Sequence, residues 1–461
     1  MQRDKRRYAV PKAAHQPGDS RGEFRRDHDR LYYSSALRRL TGITQVVAPQ
    51  NETAVLHNRY VHSDKVAILG RALAEHLVKT ADPTVLTAVG PIDPDVVAAA
   101  GLAHDIGHPP FGHAGEAALH KLALDWHLDG FEGNAQTFRV LTKLAVKKET
   151  HPGIDLTAAT RNAVLKYPWK YGDGPTQDLR DRHRKKWCVY RSEEPDFIEA
   201  RATHTVAPTA GEATQSLEAA IMELADDISY ALHDFEDFYR AGLISIETFR
   251  YGGSETYRKL KRIILSEVQT SLQANFDHGL AEKSWTTVLN RLLSASSLAE
   301  HYRGARQQDA EVVRLTSTQI TAFTRGIGLK ASGYPLAIEP AVQHEIAVWK
   351  QLTRQFVINQ PGFAAVQIGQ QRTVAETAKA IRDWVSMDGI ESPRIPERLR
   401  DYYRIGVFDE DDPAYPNPDT DVIIGRAVLD YVASLTEPQL VALHEQLTGA
   451  WRSSMLTGGI L

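Results

Sequence analysis

One cysteine, Cys188, stands among 461 residues. That excludes an internal disulfide framework and any metal site built on several thiolates, so a metal held here must take His and carboxylate ligands. A dominant charge sign is also lacking. Lys and Arg number 54 against 58 Asp and Glu, leaving a formal net charge of -4, so the bulk attraction for polyanions seen in many nucleic-acid binders is absent. Long apolar runs are missing as well. The longest, Val96 to Ala103, is too short to cross a bilayer. Residues 1–30 are rich in Arg without the apolar centre of a secretory signal. These absences read as a soluble, cytoplasmic chain with no membrane partner. Alternating β-branched stretches are scarce, and no repeat, heptad pattern or low-complexity tract occurs.

Histidine is what the chain has in excess. Of its 18 histidines, eight fall between His57 and His127, where an even spread would put about three. Clustering raises the case for a metal or catalytic site, and spacing has to decide it.

The remaining pattern is helical. Val66, Ile68, Leu69, Leu73 and Leu77 recur at helical spacing after Ser63, which reads as an N-cap, and Asp93-Pro94 supplies a cap and first-turn proline for the apolar run ending at His104. Further helices are expected over 114–126, 132–147, 212–240, 256–275, 284–302, 340–359, 373–387 and 425–448. The fold class is mainly α. Residues 1–30 read as a basic irregular arm, either solvated or reaching a neighbouring subunit or an anionic ligand. Residues 31–240 form the core, with a loop-rich insertion at 168–211 that carries the basic run Arg180 to Lys186, and 241–461 form a C-terminal helical region. The acidic, proline-broken segment Asp409 to Asp421 reads as a surface loop.

The segment that carries chemistry is Ala-His104-Asp105-Ile-Gly-His108-Pro-Pro-Phe-Gly-His113-Ala-Gly-Glu116. His followed by Asp at the end of an apolar helix sets an imidazole and a carboxylate where one divalent first-row ion can meet both. Gly107 breaks the helix and Pro109-Pro110 force an extended turn, so His113 opens a new helix with Glu116 on the same face. Two further ligands have candidates in His62, within Arg59-Tyr-Val-His62-Ser63, and Asp226, within Ala-Asp226-Asp227-Ile-Ser-Tyr230. Taken singly, His62 also reads as a helix cap and Asp226-Asp227 as an exposed acidic face.

The order His62, His104-Asp105, Asp226 resembles the signature of the HD-domain metal phosphohydrolases, and more closely that of the deoxyguanosine triphosphate triphosphohydrolase family. Similar anchors in family order are Ser34 to Leu40 with Thr44-Gln45-Val46, the Arg59 and His104 strings, Gly130-Phe-Glu-Gly-Asn134-Ala-Gln136, Lys166-Tyr-Pro-Trp169 and Ala225 to Tyr230. The resemblance covers roughly residues 20–240. Beyond it, Asp430-Tyr-Val-Ala-Ser-Leu-Thr-Glu437 is like the family's Asp-Tyr-Ile-Ala-Gly-Met-Thr-Asp, with drift.

The resemblance implies an HD-domain helical fold with a C-terminal extension and a divalent metal (Mg2+, Mn2+ or another first-row ion) on His62, His104, Asp105 and Asp226. It places His113 as the catalytic histidine with Glu116 as its acidic partner and His108 near the phosphates. It sets Arg59 on the triphosphate, Gln45 on the deoxynucleoside, Tyr230 and Asp234 on the deoxyribose, and Lys166, more weakly Lys186, on phosphate. The implied reaction is hydrolysis of dGTP or other dNTPs to deoxynucleoside and triphosphate, by a homo-oligomer, tetrameric or hexameric. The competing readings are an HD nucleotidase or phosphodiesterase acting on another nucleotide, and a regulator that binds a nucleotide effector or single-stranded nucleic acid through its basic segments.

Overall fold

The helix Pro94–Ala103 (α5) is buried from Val96 to its end, and the site grows from its C-terminal end. Its small side chains allow that burial: a Cβ on Gly101 would meet the Ala67 backbone at 2.7 Å, so only glycine lets α5 lie this close to the preceding long helix. Asp93 caps α5 through the Asp95 amide, with Pro94 in the first turn, as its sequence predicts.

The structure is a computed structural model that describes residues 3–8, 19–46, 57–173, 186–203, 214–250, 254–294, 296–331, 334–408 and 419–449. Before α5 come α1 (Glu23–Tyr32), α2 (Ser35–Arg39), α3 (Arg59–Thr80) and α4 (Pro83–Val89). After it run α6 (His113–Asp125), α7 (Gly133–Arg139), α8 (Ala158–Ala163), α9 (Glu194–Arg201) and α10 (Leu217–Arg240). Then follow α11 (Glu255–Leu272), α12 (His278–Ser294), α13 (Arg306–Arg325), and a two-stranded antiparallel pair, β1 (Ile327–Leu329) with β2 (Leu336–Ile338), in register Ile327 to Ile338. The chain closes with α14 (Pro340–Thr353), α15 (Pro361–Asp388), α16 (Glu397–Phe408), α17 (Thr420–Ser434) and α18 (Glu437–Thr448). The fold is mainly α. No single helix among the described residues is long and apolar enough to cross a membrane; a bent pair, Pro83–Val89 with Pro94–Ala103, has the length and composition, but its second helix is core.

Two apolar cores hold these helices. The larger joins α3, α5 and α10 and continues through Trp285, Phe323 and Trp349 of the C-terminal half. The smaller packs α6 (Leu119, Leu122) against Val374, Ile381 and Val385 of α15 and against α17 and α18. Residues beyond 240 therefore contribute to both cores. Only the second half of α15 is buried, which brings its first half over the site.

Several sequence expectations need correction. Ser63 is not an N-cap: Asn58 caps α3 through the Val61 amide, and Ser63 lies buried inside the helix. The arm at 1–30 is not irregular throughout, since α1 begins at Glu23. Arg6 donates to Asp27 at 2.5 Å, and Asp27 also accepts from the Thr157 amide at 2.9 Å, so described arm residues are tied to the core by buried polar bonds. Helices α2, α4, α8, α9, α13 and α16 were not among those expected, α9 lying within the loop-rich insertion, and 425–448 is two helices broken at Leu435-Thr436. Much of the basic run, 180–185, lies outside the described residues, as do 409–418 of the acidic loop and 9–18 of the arm.

Candidate metal centre and surrounding pocket

His62 sits in the first turn of α3 and His104 at the C-terminal end of α5. The His104 Nδ1 donates to the Gly101 carbonyl at 2.7 Å; a carbonyl only accepts, so Nδ1 carries the proton and Nε2 presents a lone pair. That Nε2 is buried and has no hydrogen-bond partner. It stands 3.5 Å from Asp105 Oδ1 and 3.6 Å from Asp226 Oδ1, and His62 Nε2 lies 3.0 Å from the same Asp226 oxygen. His62, His104 and Asp105 offer ligand atoms all within 4.8 Å of one another. Two imidazoles and two carboxylates converging on one orphaned nitrogen suit a divalent first-row ion.

Cations brace both carboxylates from outside. Arg59 donates to Asp105 Oδ2 at 2.6 Å and Lys166 to Asp226 Oδ2 at 2.8 Å. Burial alone would raise the Asp105 carboxyl, but His108, His104 and Arg59 hold it well below the usual range; Lys166, His104 and His62 do the same for Asp226. Burial works against the Lys166 ammonium, but Asp226 together with Tyr167, Glu223 and Asp227 holds its pKa well above the usual lysine range.

A second cluster stands beside the first. His113 opens α6, Glu116 follows one turn later, and His113 Nδ1 donates to Glu116 Oε2 at 3.0 Å. Lys186 donates to Glu116 Oε1 and to Glu132 Oε1, each at 2.7 Å. Glu132 in turn caps α7. Burial opposes ionisation of Glu116, yet Lys186 and His113 hold it well below the usual carboxylate range. Burial, reinforced by Arg59, pushes His108 down to about 4. Lys186 arrives because the Trp169 indole donates to the Lys186 carbonyl at 2.7 Å and Lys170 pairs with Val189; the insertion does form pocket wall, through this residue.

Phe111 and Gly112 hold positive φ, 64° and 54°, just before His113. A Cβ on Gly112 would meet Arg59 Nη2 at 2.7 Å, so glycine is required both for the turn and for the guanidinium lying across it.

These groups face a cavity of about 340 Å³, within the range of small-molecule sites. The structure brings Gln45, Arg59, His62, His104, Asp105, His108, His113, Lys166, Lys186, Asp226 and Tyr230 to its wall. Glu116 lies just behind His113. Asp234 does not line the cavity: two helical turns beyond Asp226, it is buried with Oδ2 unpartnered, and burial, with Asp237 and Asp226 nearby, pushes its carboxyl well up. Sequence reasoning missed one wall altogether, made by Ile358, Phe363, Gln367 and Gln370 at the start of α15 and just before it.

A mainly helical frame whose adjacent His-Asp pair ends a core helix, with a second His and Asp delivered by flanking helices, defines an HD-domain protein. The HD domain family matches residues 59–231. Along nearly its whole length the chain is similar to the deoxyguanosinetriphosphate triphosphohydrolase-like protein of Streptomyces coelicolor, 34% identical over 96% of both chains. The like-named protein of Bifidobacterium longum is 32% identical over 93% of this chain and 83% of its own, and that of Shewanella pealeana 27% over 95% and 94%. The chain belongs to the deoxyguanosinetriphosphate triphosphohydrolase-like family, and it is a phosphohydrolase whose His and Asp groups can hold a divalent metal.

Proposed function

We propose that the chain hydrolyses deoxynucleoside triphosphates to deoxynucleoside and inorganic triphosphate. The observation that carries this reading is the unpartnered His104 Nε2, aimed at His62, Asp105 and Asp226 in a cavity that also holds Arg59 and Lys166. These four would ligate the ion, which when bound polarises a phosphoryl oxygen and acidifies water. Arg59 and Lys166 bind phosphate oxygens, and His108 lies beside them as a neutral donor. His113, oriented by Glu116, transfers a proton at the attacked or departing oxygen. Water adds to the α-phosphorus as its bond to the 5′ oxygen breaks, and that oxygen leaves protonated. Gln45 and Tyr230 face the nucleoside, with Asp234 behind Tyr230 as support for the sugar end.

The native ion in this reading is Mg2+, Mn2+ or a first-row neighbour, and the working form a homo-oligomer. The deciding experiment incubates the chain with each dNTP and rNTP under Mg2+, Mn2+ and Co2+ and resolves products by phosphorus NMR. Triphosphate is expected. Orthophosphate, or turnover only of a cyclic nucleotide, would replace this reading with the nucleotidase or phosphodiesterase one.

A further inference from the structure

The segment Asp430 to Glu437 has no place in the chemistry above, yet each of its end carboxylates reaches into the catalytic half of the chain. Asp430 accepts from Gln136 Nε2 at 2.9 Å and from Arg139 Nε at 2.8 Å, which fixes α17 to α7. Glu437, the first residue of α18, turns its carboxylate onto two pocket loops at once. Its Oε1 accepts from the Thr44 amide at 2.9 Å and from the Phe111 amide at 3.1 Å, and its Oε2 from the Thr44 hydroxyl at 2.7 Å.

Besides Glu437, Arg59 spans these loops, its Nη2 donating to the Gln45 carbonyl at 3.3 Å while lying against Gly112. Thr44 precedes Gln45 and pairs with Asn58, the cap of the helix that begins at Arg59. Phe111 opens the left-handed pair that ends at Gly112 and delivers His113. Further contacts beside Glu437 brace the junction. Arg39 donates to the carbonyls of Leu435 at 3.1 Å and of Ile106 and His108 at 2.7 Å. Thr436 and Gln439 form a reciprocal capping box that fixes the start of α18. A Cβ on Gly42 would meet the Thr436 side chain at 2.8 Å, so the Thr44 loop lies directly on this turn.

We infer that Glu437 is a positioning residue for the pocket: by joining the Thr44 and Phe111 amides, it sets the distance between the Gln45 and Arg59 side and the His113 side. It touches neither substrate nor metal in this arrangement. It acts by holding two loops that have no regular secondary structure of their own, where a displacement of about 1 Å costs on the order of a hundredfold in rate. The assignment of its catalytic consequence rests on the triphosphohydrolase reading; the mechanical part does not.

The test compares the full-length wild type with Glu437→Ala and Glu437→Gln by hydrogen exchange, bound metal and steady-state turnover of each dNTP with Mn2+. In Glu437→Ala, exchange is expected to rise in peptides covering 43–46 and 108–114, metal content to hold, and kcat/KM to fall roughly ten- to a hundredfold. Glu437→Gln keeps an oxygen for the two amides and offers its NH2 to the Thr44 hydroxyl, so it recovers most of that loss. Unchanged exchange overturns the inference. So does raised exchange with kcat/KM within twofold of wild type, which would make the contact merely structural. If Glu437→Ala does not fold, Thr44→Val, which removes one of the three bonds, carries the same test at roughly two- to fivefold. A wild type that hydrolyses no dNTP refutes the proposed function, while the exchange measurement still reads the clamp.

Discussion

Lys166 Nζ stands 2.8 Å from one oxygen of Asp226, and His62 Nε2 stands 3.0 Å from the other. The carboxylate is thus divided between a cation on the outside and the convergent His-Asp group on the inside. Asp105 is divided the same way between Arg59, 2.6 Å away, and the imidazoles of His104 and His108. Cations that touch both the cavity and a carboxylate that would hold the ion would couple substrate binding to metal binding under the proposed function, and that coupling sets what each substitution should do.

Removing a ligand outright should separate least. His104→Ala is expected to lose bound metal and turnover together, because the site gives up a buried nitrogen that has no other partner. Metal analysis of the purified variant beside its activity checks this, and full occupancy with full activity would move the site elsewhere.

Arg59→Ala should show a mixed phenotype. The guanidinium faces the cavity, so KM for a nucleoside triphosphate should rise by an amount equivalent to about 2–5 kcal/mol. It also braces Asp105, so metal affinity should drop by roughly ten- to a hundredfold. Gly112→Ala, which would push a Cβ to 2.7 Å from Arg59 Nη2 at a φ of 54°, should reproduce both effects without touching a charge. Metal titration of the two variants, with KM measured at saturating metal, tests the split.

The acid–base pair should separate from the metal. His113→Ala is expected to keep metal and bind dNTP while kcat falls by roughly 10²–10⁴. Lys186→Met leaves Glu116 and Glu132 facing each other without the ammonium that each contacts at 2.7 Å. Lost compensation raises the Glu116 carboxyl, so the acid limb of the pH–rate profile should move to higher pH. Single-turnover hydrolysis across pH is the measurement; a normal chemical step in His113→Ala would reassign that histidine to holding Glu116 at the start of α6.

How much of this was legible in sequence follows from how the groups are distributed along the chain. The His104 string carries its His, Asp and Glu side chains within a dozen residues at the end of an apolar helix, so their meeting at one pocket could be read directly, and Arg59 with His62 sits on one helix start. Residues 425–448 were legible as helix and Asp430 to Glu437 as like a family motif, but not what Glu437 does, because its partners are the amides of Thr44 and Phe111, far away along the chain, and amides leave no mark in a sequence. The first half of α15 was missed for a different reason. Its residues are mostly exposed and rich in Gln, Ala and Gly, so no apolar stripe announces a helix before Val374. Phe363, Gln367 and Gln370 therefore reached the pocket unforeseen.

The last prediction concerns acid stability and uses a group outside the proposed chemistry. His233 lies on α10, buried, with Nδ1 unpartnered. Burial, helped by Lys65, His62 and His57 close by, pushes its imidazole from 6.5 down to about 2. The folded state keeps this ring neutral while the unfolded chain takes up a proton below about 6.5. Above that pH both states hold it neutral and the group contributes nothing to pH dependence. Between about 6.5 and 2 the unfolded state binds more protons, so stability is lost as pH falls, by at most about 1.4 kcal/mol per unit. His233→Phe removes the titration while keeping a ring in the same space. Denaturant unfolding of wild type and variant at pH 7.5 and pH 5, both stripped of metal with a chelator so that ligand protonation is shared, should show the wild type losing up to about 2 kcal/mol more over that interval. Parallel losses in the two proteins would mean that His233 is protonated in the folded state, with Asp234 or Asp237 supplying the countercharge.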